Sequence, residues 1–175
     1  MKTLYIVRHC SATGQSPEAE LTETGHQQAQ ELASFFKNLE ISHIISSPFT
    51  RALQSVMPTV QEKELSLLVD NRLSERILST SDLTNWLEFL EETFEDFDLT
   101  LTGGESSKEA TARAIKVLND APSNSILVTH GNLMSLILKN FDDSIGFNEW
   151  KSLSNPDVYI VKVDQQDSTI ARVWQ

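Results

Sequence analysis

Thr3-Leu4-Tyr5-Ile6-Val7-Arg8-His9 begins with an apolar run and breaks off abruptly in an arginine and a histidine. A short apolar run bounded by charge reads as a strand buried on both faces, typical of parallel sheets. In open α/β sheets ligands gather beyond the carboxyl ends of strands, so Arg8 and His9 stand where chemistry would sit. The pattern then changes to a period of 3.6. Ala29, Leu32, Ala33, Phe36 and Leu39 share a helical face, Gln27, Gln28, Gln30, Glu31 and Lys37 face away, and Thr22 or Thr24 is placed to cap the start. His43 to Ser46 is a second strand. Ser47 reads as the N-cap of the next helix, with Pro48 at its first position, Arg51 in its first turn and Pro58 kinking or ending it.

Leu65 to Val69 is a candidate strand leading into the loop that carries Glu75. Over 82–97 a helix places Leu83, Trp86, Leu87, Leu90, Phe94 and Phe97 on one face and Asp82, Glu88, Glu91, Glu92, Glu95 and Asp96 on the other. A solvated face is the preferred reading of those carboxylates; an acidic cap that selects substrates is the sharper one. Thr102 to Ser106 punctuates the chain before a helix ending near Leu118. Ser125 to Thr129 is a strand, and His130 stands where it meets a helix starting near Asn132. Val158–Val163 and Thr169–Val173 flank Asp164-Gln165-Gln166-Asp167 as an antiparallel hairpin at the sheet edge. Strands alternating with helices over 175 residues predict a single α/β domain. It is a three-layer sandwich around a mainly parallel sheet, with 82–104 as a small helical cap insertion.

Hydrophobic residues at 39% and charged residues at 22% fit a soluble globular chain with one core. No apolar run approaches the roughly 18 residues of a membrane span. The N-terminal run meets Arg8 after four residues, so it is no secretory segment. One cysteine makes no internal disulfide and no Cys-rich metal spacing is present, so a cytoplasmic protein is expected. The net charge of −11 argues against a nucleic-acid partner.

His9, His130, Arg8, Arg51 and Glu75 together supply what phosphoryl transfer through a histidine needs. One histidine attacks, cations hold the phosphoryl oxygens, and a carboxylic acid protonates the leaving oxygen. His26 and His43 lack placement at a strand's carboxyl end and receive no role.

Tyr5-Ile6-Val7-Arg8-His9, Leu21-Thr22-Glu23-Thr24-Gly25 with Gln28-Ala29, and Ser46-Ser47-Pro48-Phe49-Thr50-Arg51-Ala52 form an ordered series. It continues with Leu73-Ser74-Glu75-Arg76, Gly104-Glu105-Ser106, Val128-Thr129-His130-Gly131-Asn132 and Asn155. In this the chain resembles the histidine phosphatase superfamily, which includes cofactor-dependent phosphoglycerate mutases and many small phosphatases. The resemblance implies that His9 is phosphorylated and that Arg8, Arg51 and His130 complete a phosphate pocket. It further implies that Glu75 protonates the leaving group and then activates water. Neither the resemblance nor ligand spacing implies a metal or another cofactor. Cys10 stands where the family usually has glycine, Ser11-Ala12 where it often has Glu-Thr, and Gln15 where it often has asparagine. The Gln15 amide can still reach a phosphate oxygen.

His9-Cys10 also imitates a cysteine-dependent phosphatase, but the arginine required six positions after the cysteine is Ser16. A milder expectation is that Cys10 makes the site sensitive to oxidation. Residues 77 to 107 contain no lysine or arginine, which favours hydrolysis over mutase chemistry, since a mutase must hold a second anionic group. A catalytically silent binding protein of the same fold is the reading from another class. A phosphorylated small molecule and a phosphoprotein both remain open as substrates, and oligomeric state is not readable.

Overall fold

The computed structural model describes residues 1–165 and 167–175. The strands are β1 (Lys2–Arg8), β2 (His43–Ser46), β3 (Leu67–Val69), β4 (Ser125–Thr129), β5 (Asp157–Val163) and β6 (Ser168–Arg172). They form one sheet in the order β3-β2-β4-β1-β5-β6. β1, β4, β2 and β3 run parallel, while β5 is antiparallel to β1 and β6 to β5. The helices are α1 (Glu23–Phe36), α2 (Thr50–Lys63), α3 (Trp86–Glu95), α4 (Ser107–Asp120), α5 (Gly131–Phe141) and α6 (Phe147–Ser152).

Successive strand residues point to opposite faces, and both faces here are covered. Leu4, Ile6, Ile45 and Leu127 pack with side chains of α3, α4, α5 and α6. Val7, Ile44, Ile126 and Val128 pack with those of α1 and α2. Every residue of β4 is buried, so its run Ser-Ile-Leu-Val-Thr shows no alternation in sequence. The parallel register aligns Arg8 with Thr129 and Ser46 with Val128. His9, Ser47 and His130 therefore leave the sheet at one edge, although 121 residues separate the first from the last.

Thr22 is the cap of α1, its hydroxyl accepting from Gly25 N at 3.0 Å. Ser47 is not the N-cap of α2. That position belongs to Phe49, Pro48 precedes the helix, and the Ser47 hydroxyl is drawn into a bond with buried His130. Pro58 lies inside α2, which runs on to Lys63 and stops at Glu64 in the left-handed region (φ 53°). With no N–H at 58, the Gln54 carbonyl loses its helical bond, a cost the packing of α2 against α1 absorbs. α3 starts at Trp86, three residues after its apolar pattern begins at Leu83. Leu90 and Phe94 enter the core, whereas Trp86 and Leu87 stay 49% and 43% exposed. Asp164 N donates to Asp167 O at 2.9 Å inside the C-terminal hairpin; Gln166 of the expected turn lies outside the described residues. Among the described residues no helix is long and apolar enough to cross a membrane.

Candidate active site

His9 is 7% exposed and follows β1 directly. Its Nδ1 lies 2.6 Å from the Cys10 carbonyl. A carbonyl only accepts, so Nδ1 carries the proton and Nε2 keeps its lone pair. Arg51 Nε donates to that lone pair at 3.2 Å, which agrees with the same tautomer. Burial, reinforced by Arg51 and Arg8, pushes the His9 pKa down to about 4, against the opposing pull of its bond to Cys10 O. The ring is neutral at pH 7 and its Nε2 is free of a proton.

The loop bearing His9 is held from both sides. The start of α1 clamps it through Thr22 N to Ser11 O (3.0 Å) and through Ser11 N to Gln28 Oε1 (2.9 Å). A Cβ at Gly25 would lie 2.1 Å from Ser11 O, so only glycine allows this approach. Ser55, one turn beyond Arg51 on α2, accepts from Cys10 N at 2.8 Å. On the opposite side Asn155 Nδ2 donates to His9 O at 2.9 Å.

Arg8 Nη1 donates to Leu153 O (3.0 Å) and Ser154 O (3.4 Å), while its Nε is buried with no protein partner. Ser154 is in turn fixed by buried Asp157, whose Oδ2 accepts from Ser154 N at 2.9 Å and whose Oδ1 accepts from Arg172 Nε at 2.9 Å. A strand of the C-terminal hairpin thus braces the guanidinium of β1. Gly131 lies against that guanidinium, and a Cβ there would meet Arg8 Cζ, Nε and Nη2 at 3.0 Å. Gly131→Ala is expected to displace Arg8 and weaken inhibition by inorganic phosphate roughly tenfold, since small misplacements in such sites are costly. An unchanged inhibition constant in steady-state assays would show that Arg8 does not meet the anion.

Arg51 is 1% exposed and already heavily engaged. Besides His9 it donates through Nη1 to Gln15 O (3.2 Å) and Ser16 O (2.8 Å). Gln15 meets Arg51 through its backbone carbonyl and is among the residues that line the pocket. His130 is fully buried behind His9, ring centroids 5.2 Å apart, with Nε2 sharing a 2.8 Å bond with Ser47 Oγ and Nδ1 unpartnered. Burial first, then His9 and the arginines, holds its pKa well below the ordinary histidine value.

Glu75 occupies the start of α5, where Asn132 N (3.0 Å) and Leu133 N (2.9 Å) donate to its carboxylate. Arg76 N adds a third bond at 2.8 Å. A carboxylate is the natural occupant of an unpaired helix start. At α2 as well, Phe49 N and Thr50 N are taken, by Ser47 Oγ and Pro17 O.

A pocket of about 450 Å³ is lined by Arg8, His9, Gln15, Glu75, Arg76, Asn132 and Asn155 on its polar side, while Arg51 and His130 stand buried behind that lining. Both polar atoms of the Asn132 side chain are buried without partners, as is Arg76 Nη2. From α3 the pocket receives Trp86 and Leu90; Glu88, Glu91, Glu92 and Glu95 are solvent-exposed and belong to a separate surface depression. The solvated reading of the acidic face holds. Among the described residues no group of three or more His, Cys, Asp or Glu side chains is placed to hold a metal ion.

Sequence reasoning missed Ser47 as the partner of His130, Asp157 and Arg172 behind Arg8, and Ser55 beneath Cys10. Only Ser55 left a signal, four residues after Arg51 on one helical face.

Cys10 itself is fully buried, and burial pushes its thiol up to about 11 despite the hydrogen bond with Ser55. Reactive cysteines need an accessible thiolate, so the expected oxidation sensitivity finds no support. Native protein should resist iodoacetamide with activity retained, and Cys10 should alkylate only on denaturation, as mass spectrometry would show.

The family model described as "Histidine phosphatase superfamily (branch 1)" matches residues 4–175. Probable phosphoglycerate mutase GpmB of Escherichia coli is 29% identical over 199 residues, covering 99% of this chain and 90% of that protein. Among solved structures, mycobacterial glucosyl-3-phosphoglycerate phosphatase has a TM-score of 0.76 at 21% identity, covering 99% of this chain and 97% of that one. Phosphoserine phosphatase from Entamoeba histolytica, in complex with 3-phosphoglyceric acid, has a TM-score of 0.80 at 18% identity, covering 100% and 98%. With the family match running from the first strand to the C-terminus, the chain belongs to the histidine phosphatase superfamily.

Proposed function

We propose that this protein is a metal-independent phosphatase that hydrolyses small phosphate monoesters through a phosphohistidine on His9. The observation that carries the reading is the His9 ring itself: neutral, its proton held on Nδ1, its Nε2 lone pair beside Arg51. The lone pair attacks phosphorus, forming the P–N bond as the bond to the leaving oxygen breaks. Glu75, as the acid, gives that oxygen its proton. Arg8, Arg51, His130 and the Gln15 amide hold the phosphoryl oxygens, and for Arg51 this means turning from His9 toward the anion. Water then attacks phosphorus, Glu75 takes its proton, and the P–N bond breaks to return free His9 and inorganic phosphate. Residues 82–104 act as a small cap whose inner wall is Trp86 and Leu90.

The relatives named as probable phosphoglycerate mutases support a second reading, phosphoryl exchange. Against it stands the absence of any lysine or arginine between 77 and 107. The two separate in one experiment: an aryl phosphate and, in parallel, a pair of phosphoglycerates are incubated with the protein in chelator. Phosphate release without exchange is the expected result, and exchange without release would reverse the assignment. A phosphoprotein substrate is tested by comparing a basic phosphopeptide with a sugar phosphate, and the pocket's size favours the smaller molecule.

A further inference from the structure

Away from His9 one wall of the pocket is apolar, formed by Ala12, Leu78, Trp86, Leu90 and Trp150. Gly131 and Arg76 complete the lining, and Arg8 and Arg76 are its cationic side chains among the described residues. Trp150 is set rigidly. Phe147 stacks on it at 5.5 Å with 23° between the rings, and Phe94 meets Phe147 edge-on at 6.4 Å. With one face covered, the indole presents its other face or its edge to the pocket. Trp86 reaches the same pocket from the first turn of α3 while 49% exposed, a large apolar side chain lacking a cover.

From this we infer that the leaving group of the natural substrate carries a flat ring, seated against Trp150 and Trp86. The inference rests on the phosphatase reading and names its substrate class. A preorganised indole pays little ordering cost on binding, and ring pairs gain attraction beyond the area they bury. An acyclic, acidic leaving group would leave both tryptophans wetted and add a negative charge to a chain already at −11. A volume of about 450 Å³ accommodates a ring together with its phosphate.

The test compares 2-phenylethyl phosphate with propyl phosphate, whose leaving alcohols are of similar acidity, so the demand on Glu75 is the same for both. In the wild-type protein kcat/KM should favour the phenyl ester by about tenfold or more. Trp150→Leu, which keeps apolar bulk, and Trp86→Ala should each lose about tenfold on the phenyl ester and less than about twofold on the propyl ester. Calorimetric binding of the two matching phosphonates gives the same comparison without turnover. Equal affinities and equal kcat/KM would overturn the ring inference and leave the phosphatase reading intact. So would equal losses on both esters in folded variants. Tighter binding of the phenyl phosphonate with neither ester hydrolysed would keep the ring site and overturn the phosphatase reading.

Discussion

His9→Ala is expected to abolish phosphoenzyme formation and to lower kcat by roughly 10⁴-fold or more, the scale seen when a covalent enzyme loses its nucleophile. The protein should stay folded, since His9 contributes one side-chain bond to its neighbour's carbonyl and one from Arg51. Radiolabelled substrate quenched in alkali should mark wild type and leave the variant blank. A companion result comes from pH. Only the neutral ring attacks, and burial has lowered its pKa to about 4, so the neutral form persists down to that value. In kcat/KM, which reports the free enzyme, the limb assigned to His9 should fall as pH drops toward about 4. An ordinary histidine would place it near 6.5. A His9 ring that titrates near 6.5 by NMR would mean that the pocket is wetter in solution than its 7% exposure implies.

The strand ends were the readable part of this site. Apolar runs that stop at Arg8-His9 and at His130 mark where a parallel sheet releases its chain, and the register of β1, β4 and β2 then brings those ends together. Arg51 was legible for the related reason that it follows β2 by one turn. The supports were not. Ser47 looks like a helix cap in sequence because serine before proline usually is one; its bond to His130 depends on a residue 83 positions away. Asp157 and Arg172 reach Arg8 through two loop carbonyls, a chain of contacts without any local pattern. α3 shows a different limit. Its apolar stripe extends from Leu83 to Phe97, but the core receives Leu90 and Phe94 while Trp86 faces the pocket. Periodicity reports which residues share a face and is silent on whether protein or ligand covers it.

Glu75→Gln is expected to act differently on different esters, and the difference identifies the role. With an alkyl phosphate the leaving alkoxide needs its proton, so turnover should fall roughly 10²–10⁴-fold. With 4-nitrophenyl phosphate the leaving phenolate departs without help, and phosphorylation of His9 should be little affected. Dephosphorylation still needs a base for water, so the variant should accumulate phosphohistidine and show a burst of nitrophenol of about one equivalent. The substitution carries a structural penalty of its own. Both carboxylate oxygens accept from backbone, one from Arg76 N and Leu133 N and the other from Asn132 N. A glutamine must turn its NH₂ toward at least one of those donors, so a stability loss of about 1–3 kcal/mol is expected in urea titrations. Glu75→Asp keeps the charge but falls one methylene short of the same amides, and it should recover part of the alkyl-ester activity. Equal loss on alkyl and aryl esters, with no phosphoenzyme trapped, would reduce Glu75 to an anchor for the start of α5. The proton would then have to come from solvent, because burial holds the His130 pKa well below the ordinary histidine value and leaves that ring a poor acid.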